Sequence, residues 1–331
     1  MTIRVGIIGL GRIGHGFGVS PRGDPLSHSE AYRNIPDVQI VFGVDSDLSA
    51  CDRFQARFPK ARTHSSLSEI PENTELDVVS VCSPTPLHGQ GVRAALAWQP
   101  RVILCEKPLA PTVAEARQIV TACAERDCIL MANYSRRWTP MLQTLKTAIA
   151  PDGALGLPKG ACLRYNGGLQ HNGTHWIDLL VALFDRPHRA YCLESPPPDK
   201  VDPAESIALV WEHGFTAYLI AVRETGCSLG EGEIWGTQGL VRYGQSGRTV
   251  TLQHFHPSAH QGFQELAPPE ILCEAGMSGH ILNAVSEAVG LAKQVGQPTC
   301  SGEDGVLALE IVEMARRSRI AYNLLTLPNN L

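Results

Sequence analysis

The sequence is poor in charge, in basic excess and in long apolar runs, and each lack excludes a class of protein. Charged residues make up 18% of the chain and apolar residues 44%, which excludes an intrinsically disordered protein. Lys and Arg number 28 against 33 Asp and Glu, so we expect no nucleic-acid partner. No run approaches about 18 consecutive apolar residues, so we expect no membrane contact. What remains is a well-packed globular protein that acts on a small molecule.

The ten cysteines do not form the pattern of a disulfide framework. They are scattered without a C-x-x-C pair, and several, such as Cys82 and Cys105, stand inside apolar runs where a thiol behaves as a small hydrophobic side chain. The chain enters an apolar run at Ile3 and lacks the layout of a signal peptide. We therefore expect a reduced, cytoplasmic protein.

The arrangement of β-rich and helical runs predicts two domains in the 331 residues. The two kinds of run alternate over the first 130 or so residues, which predicts an α/β domain with a doubly wound parallel sheet of the Rossmann type over residues 1–132. Later β-type runs follow one another without helices between them, which predicts an α+β domain with a mostly antiparallel sheet over residues 133–331. The predicted parallel strands are Ile3–Ile8, Gln39–Val44, Asp77–Cys82, Val102–Cys105 and Ile129–Ala132.

A G-x-G-x-x-G pattern follows directly on the first predicted strand. Its first glycine makes a tight turn, its second lets the backbone approach a pyrophosphate, and its third lets helix and strand pack closely. A helix that begins there offers unpaired N–H groups to phosphates. The alternative interpretation is an ordinary glycine-rich turn. The pattern predicts a dinucleotide site formed by Gly9, Gly11, Arg12, Ile13 and Gly14.

An acidic residue at the end of the second strand completes such a fingerprint. Asp45 occupies this position, and Asp47 is a second candidate. A carboxylate here binds the ribose hydroxyls of NAD and disfavours the 2′-phosphate of NADP, so we expect NAD as the cofactor. The separation of Asp45 from Gly14, 31 residues, exceeds the usual value of about 20.

The excess length lies in residues 15–25, which are too rich in glycine and proline to form a helix. We predict a loop inserted beside the pyrophosphate, with two open interpretations: a lid, or a surface excursion without function. Asp24 as the cap and Pro25 as the first helical residue predict a helix that restarts there and continues through Asn34.

Glu106-Lys107-Pro108 ends the fourth predicted strand, at the edge where α/β sheets place their ligands. A residue that precedes proline is held extended, so Lys107 stands on a stiff backbone. A primary ammonium at this place can donate a hydrogen bond to a substrate hydroxyl and stabilise a developing alkoxide. Taken alone, these three residues are more typical of a solvated strand end.

Two further motifs accompany the glycine-rich turn and Glu106–Pro108 in a fixed order. They are Ser83-Pro84-Thr85-Pro86-Leu87-His88 and Gly173-Thr174-His175-Trp176-Ile177-Asp178. With residues 133–138 and 301–305, they resemble the Gfo/Idh/MocA family (glucose–fructose oxidoreductase and inositol dehydrogenase) over nearly the whole chain. The resemblance implies an open antiparallel sheet in the second domain, association into a homodimer or homotetramer through that sheet, and NAD(P)-dependent redox chemistry on sugars, cyclitols or nucleotide sugars.

Carried over by position, Lys107 is similar to the family's catalytic lysine and His175 to its catalytic histidine. The family commonly has an Asp four residues before that histidine, where this chain has His171. Two interpretations stay open: His171 shares the acid–base work or binds substrate, or the chemistry rests on Lys107 and His175 alone. Further predicted cofactor contacts are Ser83, Pro84, Thr85, His88, Glu106 and Lys107, and predicted substrate contacts are Lys107, Arg136, Arg137, Asn172 and His175.

The histidines do not predict a metal site. No Glu follows His171 as in H-E-x-x-H, and the group at 254, 256 and 260 has no carboxylate or thiol at ligand spacing. A helix-entry loop capped by Asn172 or Thr174 is the structural alternative for the segment around His175. In function, the sequence predicts an oxidoreductase that interconverts a secondary alcohol and a ketone. The alternatives are a non-catalytic NAD-binding regulator and an enzyme that re-reduces its substrate with tightly held nucleotide.

Overall fold

The computed structural model describes residues 2–193, 201–223 and 226–318. The elements before residue 139 are β1 (Ile3–Ile8), α1 (His28–Arg33), β2 (Val38–Val44), α2 (Leu48–Arg57), β3 (Arg62–His64), β4 (Val78–Val81), α3 (His88–Ala97), β5 (Val102–Glu106), α4 (Val113–Ala124) and β6 (Ile129–Asn133). Their strands form one parallel sheet in the order β3-β2-β1-β4-β5-β6. The predicted Rossmann sheet is therefore confirmed, although the sequence did not predict β3.

The central strands of this sheet bring three predicted motifs to one edge. β4 and β5 are buried along their whole length, as expected for strands of a parallel sheet that is covered on both faces. The strand order reverses between β1 and β4, which pair directly, and β5 lies next to β4. The carboxyl ends of these strands carry the glycine-rich turn, Ser83 and Lys107, at the point where open α/β sheets bind ligands.

The inserted segment forms a small hairpin. Val19 pairs with Pro25, and the backbone N–H of Ser20 donates to the Asp24 carbonyl at 2.8 Å. Because the hairpin holds these residues extended, the predicted helix start at Pro25 is wrong, and α1 begins three residues later at His28. The Asp24 carboxylate accepts a hydrogen bond from Ser278 instead of capping a helix.

The rest of the described chain contains a second sheet with nine strands. Its elements are α5 (Pro140–Ile149), β7 (Pro158–Tyr165), α6 (Thr174–Phe184), β8 (Arg189–Cys192), β9 (Ile207–Val210), β10 (Thr216–Ala221), β11 (Gly230–Gly236), β12 (Gly239–Gly244), β13 (Thr249–Pro257), β14 (Gln264–Leu266), β15 (Glu270–Cys273), α7 (His280–Lys293) and α8 (Gly302–Ser318). β10 pairs parallel with β7 and the other pairs are antiparallel. This confirms the mostly antiparallel sheet. The sequence also predicts a last helix over Gly302–Tyr322, and residues 319–322 of that prediction lie outside the described part.

The described residues group into two compact units. The first comprises the chain up to Pro140 and the segment Met277–Leu309, and the second comprises Met141–Gly276 and the chain from Glu310. α7 therefore groups with the parallel sheet. The boundary at residues 132 and 133 stays a prediction.

Candidate active site

The glycine-rich turn has the shape that its pattern predicts. Gly9 has a φ of 91°, and a Cβ added there would lie 2.5 Å from the backbone nitrogen of Ser83. A Cβ at Gly14 would lie 2.0 Å from the carbonyl oxygen of Gly9, whereas one at Gly11 would meet nothing within 4 Å. Gly9 and Gly14 are thus required by close packing, and Gly11 leaves the surface of the turn open. A pyrophosphate needs this kind of close approach to the backbone.

Polar groups without partners surround the open turn. Residues Arg12–Gly16 form one helical turn after β1, and no described residue accepts a hydrogen bond from the backbone N–H of Arg12 or Ile13. The Ser83 hydroxyl oxygen is buried and has no hydrogen-bond partner among the described residues. Because buried polar groups are normally paired, these donors fit the phosphates and sugar of a dinucleotide.

Asp45 is tied to the turn through its carboxylate. Its Oδ2 accepts a hydrogen bond from the backbone N–H of Leu10 at 2.7 Å, and its Oδ1 accepts one from Asp47 at 2.9 Å. An ionised carboxylate has further lone pairs, so both oxygens retain capacity for hydroxyl donors. Asp47 instead caps α2 by accepting from the Ser49 N–H. Of the two acidic candidates, Asp45 is therefore the one that contacts the glycine-rich turn, and Asp47 is the one that caps a helix.

Glu106 is buried next to Lys107, and its carboxylate contacts three polar groups of the protein. Its carboxylate lies 3.0 Å from His28 Nε2, accepts a hydrogen bond from the Asn133 amide at 2.6 Å, and accepts one from the Lys107 backbone N–H at 3.3 Å. Burial raises the pKa of Glu106, but the hydrogen bond from His28 and the charge of Lys107 outweigh this and hold it below 4.5. The group is therefore a carboxylate at neutral pH, beside a half-buried Lys107.

His88 links the loops that follow β4 and β5. Its ring is 1% exposed, with Nε2 2.7 Å from the Ser83 carbonyl oxygen and Nδ1 2.9 Å from that of Pro108. Burial lowers the pKa of His88, and the hydrogen bond to Ser83 opposes the shift. Both ring nitrogens thus face backbone groups. Pro84 and Thr85 lie in the short helical turn that precedes this residue.

The paired arginines occupy the helical turn Ser135–Trp138. Arg137 donates to the Asp304 carboxylate at 3.0 Å and to the Thr299 carbonyl at 3.2 Å. These contacts lie within the first unit and pair the Arg137 guanidinium with a carboxylate, and its predicted contact with substrate stays a prediction. Arg136 is half-buried in the same turn.

The predicted histidines of the second unit lie in and after the helical turn Leu169–Gly173, which leads into α6. The Asp202 carboxylate accepts hydrogen bonds from the backbone N–H of Gln170 at 2.9 Å and of His171 at 2.8 Å. His171 is exposed and His175 is half-buried in the first turn of α6. A Cβ at Gly168 would lie 2.0 Å from Asp202 Oδ2, so this contact requires a glycine.

Arg316 on α8 holds Asp202 in place. Its guanidinium donates to Asp202 Oδ1 at 3.0 Å and to Glu205 Oε2 at 2.7 Å, and Glu205 is fully buried. Asn172 and Thr174 donate their side-chain hydrogen bonds to backbone carbonyl oxygens. No side-chain cap is present at the start of α6, so the alternative prediction that these residues cap the helix is wrong.

Sequence reasoning missed His28, Asp202 and Arg316. His28 is 78 residues from Glu106, and Arg316 is 114 residues from Asp202. No spacing rule relates such distant residues. The one available signal was the position of His28 just after the inserted loop, which places it in a helix against the sheet.

The described residues contain neither a metal-binding cluster nor a membrane-spanning helix. No group of three or more His, Cys, Asp or Glu side chains there is arranged to hold a metal ion. Within the same residues, none of the helices has the length and apolar character to cross a membrane.

Comparisons with known proteins were made for the sequence and for the fold. Residues 3–134 match the Gfo/Idh/MocA model, an oxidoreductase family with an NAD-binding Rossmann fold. The D-apiose dehydrogenase of Paraburkholderia graminis is 23% identical over 315 residues, which are 87% of this chain and 82% of that protein. The myo-inositol 2-dehydrogenase of Thermotoga maritima is 28% identical over 156 residues, or 47% of this chain and 43% of the relative.

The fold comparison covers almost the whole chain. An oxidoreductase from Agrobacterium radiobacter, solved in complex with NAD+, L-tartaric acid and magnesium, has a TM-score of 0.75. The two chains are 18% identical, and 97% of each is covered. At 18% identity, this similarity shows that the two chains share a fold and no more.

Proposed function

We propose that the chain is an NAD-dependent dehydrogenase of the Gfo/Idh/MocA oxidoreductase family, because residues 3–134 match the model of that family and the D-apiose dehydrogenase is similar over 87% of the chain. Its substrate would be a secondary alcohol, or the corresponding ketone, of a sugar, cyclitol or nucleotide sugar. The observation that carries the proposal is the open turn at Gly11, hydrogen-bonded through Leu10 to the carboxylate of Asp45. NAD, when bound, supplies the acceptor for the hydride of the carbinol carbon.

Lys107 and His175 have the proposed roles on the substrate oxygen. In the oxidation direction, the His175 imidazole takes the hydroxyl proton, because a neutral imidazole suits proton transfer near pH 7. The Lys107 ammonium donates a hydrogen bond to the same oxygen and stabilises its developing negative charge. His171 shares the proton transfer or binds substrate together with Asn172 and Arg136.

The choice of NAD over NADP rests on Asp45. Its carboxylate has free lone pairs for the two ribose hydroxyls, whereas the 2′-phosphate of NADP would meet a like charge. Titration of the protein fluorescence with NADH and with NADPH tests this preference. We expect NADH to bind more tightly, and we expect Asp45→Ala to remove the difference. Equal affinities in the unmodified protein would contradict the assignment of Asp45.

The glycines give a matched test of the nucleotide site. Gly11→Ala places a methyl group in open space, so the protein should fold normally and bind NADH at least tenfold more weakly. Gly290→Ala is the control for an added methyl group, since Gly290 also has nothing within 4 Å of its Cβ position but lies on the exposed side of α7. Unchanged NADH affinity in Gly11→Ala would exclude the turn as the pyrophosphate site.

Turnover distinguishes the enzyme from the second candidate function. The replacement of the family's Asp by His171 favours, as the alternative, a non-catalytic NAD-binding regulator on the same fold. Incubation of the protein with NAD+ and a panel of aldoses, polyols, cyclitols and nucleotide sugars, followed by nicotinamide absorbance, separates the two. Nucleotide binding without turnover of any panel member would favour the regulator, and nicotinamide absorbance in the purified protein would reveal tightly held nucleotide.

We also propose a cytoplasmic homodimer or homotetramer that associates through the open face of the second sheet. Charged pairs on neighbouring strands, Arg164–Glu231 and Arg242–Glu233, stand on that sheet. Trp235 is also partly exposed there. Light scattering of the purified protein measures the association, and Trp235→Glu should shift it toward the monomer. A monomer at all concentrations would contradict this proposal.

A further inference from the structure

His28 is the centre of a hydrogen-bonded chain in the interior of the first unit. The residue is 0% exposed, its Nδ1 lies 2.9 Å from the Ser80 hydroxyl oxygen, and its Nε2 lies 3.0 Å from Glu106 Oε1. The Tyr32 hydroxyl lies 2.8 Å from the same Ser80 oxygen. α1, β4 and β5 therefore each contribute to one continuous set of contacts.

The directions of these hydrogen bonds follow from the acceptor at one end. A carboxylate can only accept, so His28 Nε2 carries the proton that faces Glu106. In a neutral imidazole Nδ1 then accepts from the Ser80 hydroxyl, which in turn accepts from Tyr32. Burial raises the pKa of Tyr32 far above 10, so its hydroxyl keeps the proton that it donates. The Tyr32 hydroxyl, the Ser80 hydroxyl and His28 Nε2 then each donate to the next group in this set of contacts.

The chain ends at the backbone of Lys107. One oxygen of Glu106 is fixed by His28 and by the Asn133 amide, and the other accepts the Lys107 N–H. A carboxylate with donors on both oxygens cannot rotate without breaking a hydrogen bond in a buried environment, which is costly. The orientation of Glu106 therefore determines where the lysine backbone lies.

We propose that His28 is a positioning residue for Lys107 and acts through Glu106. The inference rests on the proposed function, since it assumes that Lys107 touches the substrate. A displacement of a catalytic group by about 1 Å can lower a rate about 100-fold. The hydrogen bonds from Tyr32 to Glu106 would then keep the Lys107 ammonium within about 1 Å of its working position. The nucleotide site at the neighbouring strand does not depend on them.

Two substitutions at His28 and one control test this role. His28→Leu removes both hydrogen bonds, and His28→Gln keeps one amide donor toward Glu106. We expect kcat to fall about 10- to 100-fold in His28→Leu and less in His28→Gln, with the Kd for NADH and the KM for substrate unchanged. His188→Gln makes the same change in an exposed histidine, 3.4 Å from Glu212, and should leave all three constants as they are.

A second measurement does not depend on knowing the substrate. Amide hydrogen exchange in the segment 105–110 reports on the Lys107 backbone directly. We expect faster exchange there in His28→Leu, partial recovery in His28→Gln, and no change in His188→Gln. If His28→Leu does not fold, Ser80→Ala takes its place. This substitution removes the hydroxyl partner of His28 Nδ1 and leaves the histidine itself unchanged.

The outcomes separate the two proposals. Unchanged exchange at 105–110 in the His28 variants overturns the positioning role, as does an unchanged kcat. Loss of NADH affinity in parallel with thermal stability also overturns it, because that pattern reflects a purely structural core residue. Absence of turnover by the unmodified protein counts against the proposed function, while the exchange measurement still decides whether His28 positions the Lys107 backbone.

Discussion

The turn after β5 and the turn before α6 carry the two proposed catalytic side chains, and they are held in different ways. Glu106–Pro108 is fixed by hydrogen bonds among buried groups, with His28 at 0% and Glu106 at 8% exposure. Leu169–Gly173 is fixed by Asp202 and Arg316, whose side chains are 25% and 27% exposed. A buried network tolerates salt but not the loss of a partner. The partly exposed Arg316–Asp202 pair is screened by ions, although Arg316 also compensates the buried charge of Glu205.

The largest effect that we expect comes from the first turn itself. Lys107→Ala removes the proposed donor to the substrate oxygen, and loss of one such donor costs about 10²- to 10³-fold in kcat. Steady-state kinetics on the first substrate identified measures it. Lys60→Ala, at an exposed lysine of the same unit, is the control. Full activity in Lys107→Ala would remove this lysine from the mechanism.

The second largest effect should come from Arg316, whose ion pairs support the turn Leu169–Gly173. Arg316→Met leaves Glu205 fully buried without its guanidinium, and an uncompensated buried charge costs about 3 kcal/mol or more of unfolding free energy. Urea denaturation measures the loss. Arg317→Met is the matched control, because Arg317 pairs with Glu313 on the exposed side of α8 and should change stability little. Equal losses of unfolding free energy in both variants would mean that the ion pairs of Arg316 contribute no more than an exposed surface pair does.

Salt should separate the two turns without any mutation. At about 1 M KCl the Debye length falls to about 3 Å, which weakens interactions between half-exposed charges. We expect amide exchange in the segment 169–173 to accelerate severalfold. The segment 105–110, held by buried groups, should exchange at an unchanged rate. Acceleration of both segments alike would erase the distinction drawn between them.

The smallest effect that we expect is the loss of stability in acid that comes from Glu106 in the turn Glu106–Pro108. The folded-state pKa of Glu106 lies below its ordinary value of 4.5. Its contribution to stability is therefore present above about pH 4.5 and is lost as the pH falls through the folded-state pKa, at about 1.4 kcal/mol per pKa unit. The free energy of unfolding should decline less steeply below pH 4.5 in Glu106→Gln than in the unmodified protein. Identical pH slopes would show that Glu106 titrates alike in both states.

Much of the fold could be predicted because its signals are local. β1 has the predicted limits, Ile3–Ile8. β3 was missed because Arg62–His64 is a three-residue edge strand without an apolar run. The start of α1 was wrong because the Asp24-Pro25 signal is weaker than the hydrogen bonds of the hairpin.

The candidate site could be predicted less completely, for a physical reason. The residues that we propose to face a ligand stand in motifs at strand ends, as Gly11, Asp45 and Lys107 do. Residues that hold those motifs in place, such as His28 and Asp202, come from distant parts of the chain and are chosen by packing. Long-range pairing of this kind leaves no periodicity or spacing in the sequence.

The close approach of Gly168 to Asp202 has a consequence for the evolution of this chain. Any side chain at position 168 would occupy the space of the Asp202 carboxylate, whose oxygen would lie 2.0 Å from the new Cβ. The new Cβ would also lie 2.6 Å from the backbone carbonyl oxygen of residue 202, so replacement of the aspartate alone does not make room for it. Position 168 should therefore stay glycine in related sequences that keep this backbone, and a sequence without it must support the segment before α6 by another route.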